Sequence, residues 1–183
     1  MAILKVARMG HPVLRLKARP LSKEEIGSPE ITRLIQDMKE TMDEYGGIGI
    51  AAPQVHVSLQ LALIGYADSN SRYPDQGEFP LSVFINPVIT VLDETEQSFW
   101  EGCLSVPELR GLVPRPRKIR VDYLDEKGNS RSITTEDFLA TVFQHELDHL
   151  QGVLYVDRIR DRTKFAFIEE YQKYNLDEPA IEE

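Results

Sequence analysis

Apolar residues fall at Ile31, Leu34, Ile35, Met38, Met42 and Tyr45, a three-and-four spacing that lines one face of a helix. Ser28 ahead of Pro29 supplies an N-cap and a proline at the first helical position, and Gly46-Gly47, where positive φ is cheap, ends the helix. The pattern then shifts to strands at 59–66, 81–85, 88–92 and 98–101, with the polar, turn-rich stretch 67–79 reading as a surface loop. In 117–124, Ile119, Val121 and Tyr123 alternate with charged neighbours as in a half-buried strand; 125–129 forms its turn and 130–133 the return strand. Residues 134–137, Thr-Thr-Glu-Asp, resemble a capping box opening a second helix that runs to Gly152. Its apolar residues Phe138, Leu139, Val142, Phe143, Leu147 and Leu150 cover more than one face, which predicts a helix buried within the domain. A last helix is predicted over 163–174 with Phe165, Ile168 and Tyr171 facing inward. There is no repeat and no linker, so the expectation is one α+β domain over 1–175, its antiparallel β-sheets packed around the second helix, followed by an acidic tail at 176–183.

Composition narrows the function classes. The 183 residues carry a net charge of −9, which argues against a nucleic-acid surface, since phosphate binding needs a basic face. A single cysteine makes no intrachain disulfide and leaves a thiol available for chemistry. No apolar run approaches the roughly 20 residues of a membrane span, so no membrane partner is expected and the cytoplasm is the expected location. Lys5, Arg8, Arg15, Lys17, Arg19 and Lys23 precede any acid, as in an organellar transit peptide, yet the segment is not Ser-rich and Gly10-His11-Pro12 interrupts a helix. It therefore reads as part of the mature domain.

The candidate chemistry sits in the second helix. Gln144-His145-Glu146-Leu147-Asp148-His149 contains H-E-x-x-H, which puts two imidazoles on one helix face a turn apart, aimed at one metal ion. Glu146 lies beside them, placed to handle a proton of the water such an ion activates. His11 and His56 have no partner at ligand spacing and read as structural. A third ligand is needed. The glycine of an extended H-E-x-x-H-x-x-G-x-x-H pattern is matched by Gly152, but its final histidine is replaced by Tyr155. Two possibilities stay open on the residues alone: a glutamate from the last helix, Glu169 or Glu170, as in a metallopeptidase, or Cys103, whose thiolate would complete a Cys-His-His site with one position open.

Three segments, Gly47-Ile48-Gly49-Ile50-Ala51-Ala52-Pro53-Gln54, Glu101-Gly102-Cys103-Leu104-Ser105 and Gln144 to His149, resemble in order and separation the signature segments of peptide deformylases. Gly10-His11-Pro12-Val13-Leu14-Arg15 and the tract 112–120 are also similar to that family. The resemblance implies Cys103, His145 and His149 as metal ligands and Glu146 as the catalytic acid/base, with the Gln54 amide and the Leu104 backbone N–H as oxyanion donors. It implies a divalent metal, ferrous iron natively, with zinc, nickel or cobalt accepted. The activity implied is hydrolysis of the formyl group from N-terminal formylmethionine of new chains, with nascent chains as partners and a transient ribosome contact.

Such a substrate is a peptide, so its extended backbone needs close approach along Gly47 and Gly49, where side chains would obstruct it. Ile48, Phe138, Val142 and the face of His145 are expected to line the methionine pocket, Gly49 to bind the substrate backbone, and Arg110 to meet the peptide farther along. Two departures from the family pattern stand out. Gly46 occupies a place that is acidic in many relatives, removing an ion pair that Arg115 could have joined, and the loop 67–79 is long. A metal-stabilised binding domain without catalysis is the remaining alternative.

Overall fold

The computed structural model describes residues 2–66 and 78–174. Most of the predicted loop and the whole acidic tail lie outside them. Helix α1 spans Pro29–Glu44, capped by the Ser28 side chain, which accepts from the Ile31 N–H as its position before Pro29 predicts. Its buried face carries Ile31, Met38 and Met42, while Tyr45 falls past the helix end, 46 % exposed, and is not part of the stripe.

The strands are β1 (Gly49–Ala51), β2 (Leu61–Tyr66), β3 (Phe79–Cys103), β4 (Val106–Leu124), β5 (Ser130–Glu136) and β6 (Phe165–Phe167). They form one antiparallel sheet in the order β1-β2-β3-β4-β5, with β6 on β4. The predicted strands 81–85, 88–92 and 98–101 are pieces of the single ribbon β3. Register shifts against β4 between Ile85 and Val88, Val91 and Asp93, and Asp93 and Glu96 break the two-residue alternation and so conceal its continuity. The ribbon closes at Cys103 opposite Val106, so the cysteine stands at the tip of a hairpin.

Helix α2 (Asp137–His149) follows β5 with no intervening loop. The expected capping box does not form: Thr134 and Thr135 stay in β5, and Glu136 makes no side-chain cap bond. The reversal is made instead by Asp137 at φ 57, a left-handed conformation that Asp tolerates, held by Arg117 Nε at 2.8 Å and by Gln97 Nε2 donating to its carbonyl. Every residue from Ala140 to His149 is buried. Phe138, Phe143 and Leu147 pack with Ile64, Phe84, Ile119 and Val121 of the sheet, so the helix is enclosed as its apolar distribution predicts.

The last helix, α3, is shorter than predicted, Ile168–Tyr174. Phe165, Ala166 and Phe167 pair instead with Gly111, Arg110 and Leu109 of β4, and Phe165 is 37 % exposed and does not face inward. An open sheet edge satisfies three residues of backbone in an extended form that helical spacing alone does not foresee. Tyr171 does turn inward, its ring 4.8 Å from that of Trp100. The basic N-terminal segment is stitched into the domain: Ala7 N donates to Gln54 O, Met9 N to Ser105 O and Ala18 N to Leu150 O.

Candidate metal centre

Two elements meet at the site. The hairpin tip brings Cys103, and α2, held on several sides, presents His145 and His149 from one face. The donor atoms of Cys103, His145 and His149 all lie within 4.8 Å of one another and all three residues are buried. Cys103 Sγ is 3.3 Å from His149 Nε2, and the two imidazole rings stand at 80° with centroids 5.2 Å apart. Glu169 and Glu170 are exposed on α3 and are not among the grouped donors, so no carboxylate from the last helix completes the set. His11 and His56 pack against each other, ring centroids 4.6 Å apart, and belong to no metal-ligating group among the described residues.

The surroundings prepare each donor. His145 Nδ1 lies 2.7 Å from Glu101 Oε2, which assigns the N–H to Nδ1 and leaves the Nε2 lone pair for the Cys103 side. Burial works against a charge on this ring, yet Cys103 and Glu101 outweigh it and raise its proton affinity well above the ordinary value. His149 is pushed the opposite way, by burial first and then by the positive character of His145 and Arg115, which keeps it neutral with a free lone pair. Cys103 Sγ accepts from the Gln54 side-chain amide and the Ser105 N–H, both at 3.4 Å, contacts that fix where the sulfur points. His149 Nδ1 and Glu146 Oε2 are buried with no hydrogen-bond partner. One sulfur and two imidazole nitrogens converging in a buried pocket suit a soft to borderline divalent cation, so the donor set fits a metal.

Glu146 lines the cleft beside His145 and packs on Gly49. A Cβ built on Gly49 would lie 2.5 Å from Glu146 Oε1. The glycine is therefore required for the carboxylate as well as for any ligand. Burial raises this carboxyl to about 7, with Arg115 and His145 opposing and Glu101 adding to the shift. Gln54 is oriented by its own loop: its Oε1 accepts from Ala51 N at 2.8 Å, which turns the NH₂ toward Cys103 and Ser105.

A cleft next to the cluster is lined by Ile48, Phe99, Trp100, Glu101, Gly102, Phe138, Thr141, Val142, His145 and Glu146. Ile48, Phe138, Val142 and His145 are the residues expected there; Gly49, expected along the substrate backbone, packs against Glu146. Phe99, Trp100, Gly102 and Thr141 were not foreseen. Thr141, four residues before His145, was accessible from helical spacing, whereas Phe99 and Trp100 depend on the hairpin register. Arg110 is 8 % exposed and its guanidinium covers Gly102, where a Cβ would lie 1.8 Å from Nη1; it flanks the cleft and does not line it. Arg115, left without a partner at Gly46 in the sequence reading, pairs instead with Glu101 and Asp148. No helix among the described residues is long and apolar enough to cross a membrane.

Comparison with known proteins adds independent findings. The polypeptide deformylase family profile matches residues 3–165. A peptide deformylase of Leptospira biflexa is 44% identical over 170 residues, covering 93% of this chain and 95% of that one. Peptide deformylase 1 of Bordetella pertussis is 48% identical over 164 residues, covering 90% of this chain and 92% of that one. Among solved structures, a class I type b peptide deformylase of Acinetobacter baumannii with Met-Ala-Ser bound superposes with a TM-score of 0.82 at 40% identity, over 86% of this chain and 99% of that one. An actinonin complex of a Synechococcus elongatus peptide deformylase gives 0.79 at 35% identity, over 94% of this chain and 86% of that one.

Proposed function

The chain belongs to the polypeptide deformylase family, and from that premise we propose that it hydrolyses the formyl group from N-terminal formylmethionine of new polypeptides, with Cys103, His145 and His149 as metal ligands and Glu146 as base and acid. The observation that carries this reading is the convergence of those three donors within 4.8 Å beside a buried carboxylate whose Oε2 has no partner. A divalent ion held there would act as a Lewis acid and lower the pKa of water from about 15.7 to about 7. Ferrous iron is the native ion in this reading, with zinc, nickel or cobalt as substitutes, because one thiolate and two imidazoles suit several of them.

The protein's own groups carry the remaining steps. Glu146 accepts the proton of the attacking water at Oε2 and returns it to the departing amine nitrogen, and a carboxyl near 7 can work in both directions at neutral pH. The Gln54 amide and the Leu104 N–H meet the negative charge that builds on the formyl oxygen, where losing one such donor costs about 100- to 1,000-fold in rate. Ile48, Phe138 and Val142 hold the methionine side chain. The peptide backbone runs along Gly49, whose strand is paired with β2 on one edge. Arg110 contacts the peptide beyond Gly102. The Met-Ala-Ser peptide bound to the A. baumannii relative is consistent with such a ligand. Residues 1–175 act as one catalytic domain, with 176–183 outside it, on nascent chains met transiently at the ribosome in the cytoplasm.

The test compares formate release from formyl-Met-Ala-Ser with cleavage of the unformylated peptide. Cys103→Ala is expected to lose both metal and formate release. Full metal content and activity in that variant would remove Cys103 from the ligand set and refute this reading.

A further inference from the structure

Behind His145 lies a row of charges that the proposed chemistry does not use. Glu101 Oε2 meets His145 Nδ1 at 2.7 Å; Arg115 grips Glu101 through Nε at 2.5 Å and Nη2 at 2.9 Å. The third donor of Arg115, Nη1, reaches Asp148 Oδ2 at 2.9 Å. Arg158 then clamps Asp148 from outside, Nε to Oδ2 and Nη2 to Oδ1, both at 2.5 Å. The first three are buried, Glu101 at 4 %, Arg115 at 2 % and Asp148 at 8 % exposure, whereas the Arg158 side chain is 45 % exposed.

We propose that Arg158 is a positioning residue for the metal ligand His145, acting through Asp148, Arg115 and Glu101. Two carboxylates and one guanidinium are enclosed together, leaving the buried trio one negative charge in excess, and Arg158 supplies the cation that neutralises it. Without it, Arg115 is the only guanidinium left to serve both acids. It is drawn toward Asp148 and away from Glu101, and the hydrogen bond that fixes the His145 ring is loosened at its far end. Asp148 lies between the two histidine ligands on α2, so the same displacement is felt on the helix that carries both. The surface pair Arg160–Glu96, equally bidentate at 2.6 Å, has no such connection and serves as the internal control.

The inference rests on His145 being a ligand, and the experiment reads that separately. The cobalt-loaded full chain is challenged with excess chelator, and release of the ion is followed through its visible absorption. Arg158→Ala is expected to release cobalt about three- to tenfold faster than wild type, below the roughly 10- to 100-fold effect of losing a direct partner of a ligand, with a shifted cobalt spectrum. Arg158→Lys, which keeps the charge but loses the fork, should fall between, and Arg160→Ala should match wild type. If Arg158→Ala lowers only the melting temperature and releases cobalt within twofold of wild type, the contact merely ties the segment after α2 to the helix and the proposal fails. Should that variant not fold, Arg158→Gln and Arg158→Lys carry the test, and wild-type release from both overturns it. A His145→Ala protein holding cobalt as tightly as wild type would overturn the ligand assignment, and the relay with it.

Discussion

Gly49 and Glu146 show how much of this site depends on single atoms. A methyl group at position 49 would overlap the Glu146 side chain from Cγ to the carboxylate, so Glu146 has to shift into the cleft to make room for it. Gly49→Ala is therefore expected to keep its metal yet lose about 10- to 100-fold in kcat, the cost typical of a catalytic group misplaced by about 1 Å. Metal analysis beside steady-state kinetics checks this, and an unchanged kcat would show that the carboxylate relocates freely. Glu146→Ala should likewise retain metal, because Glu146 is not among the converging donors, and lose at least about 100-fold in turnover. Turnover near wild type would dismiss its acid/base role. The H-E-x-x-H spacing exposes Glu146 to a reader of the sequence, but that Gly49 exists to accommodate it emerges only when β1 and α2 are seen in contact.

At the level of elements, α2 is the part most completely legible in the chain and also the part whose ends are least so. Its apolar spread predicts an enclosed helix, and packing against Phe84, Ile119 and Val121 agrees. Its start is set by strand β5 and the strained Asp137, since tertiary bonds from Arg117 and Gln97 replace the side-chain cap that Thr134-Thr135-Glu136-Asp137 suggests. Its end is set by Gly152 at φ +73, packed so tightly that a Cβ would sit 2.7 Å from the Arg15 carbonyl oxygen. Gly152→Ala should destabilise the fold by about 2 kcal/mol, combining the left-handed penalty with a backbone clash. Chemical denaturation measures it, and a change below about 0.5 kcal/mol would mean that the N-terminal arm gives way without cost. The long ribbon β3–β4 is the opposite case, hidden by its own bulges, and it is this ribbon that delivers Cys103 and the Phe99 wall.

Across the whole molecule, an acidic chain of net charge −9 is held partly by carboxylates whose protons are displaced by local bonds. Glu25 is the clearest on the surface: the Arg19 side chain, then the Ser22 N–H, lower its pKa from 4.5 to about 2. A depressed folded value means that the unfolded chain binds the proton more readily. The contribution is thus complete above the unfolded value of about 4.3 and fades as pH falls toward 2. Glu25→Gln should accordingly unfold at lower urea than wild type at pH 7, with the gap shrinking to a small fraction of that as pH falls to 2. A gap of equal size at both pH values would trace the loss to something other than this charge.

What depends on neighbours in the chain is written in the residues: the α1 stripe with its Ser28 cap, the enclosed character of α2, the alternation of 117–124, and the histidines with Glu146 between them. These follow from residues within a few positions of each other, where helical and extended periods leave a direct imprint. Which distant groups meet is fixed by the folded chain. It joined three apparent strands into one ribbon, drew 165–167 out of a helix onto an open edge, and brought Cys103 across 46 residues to His149. It also enclosed Glu101, Arg115 and Asp148 as one charged row. Pairing and burial at long separation are set by the collective packing of the sheet around α2, and no local pattern encodes them.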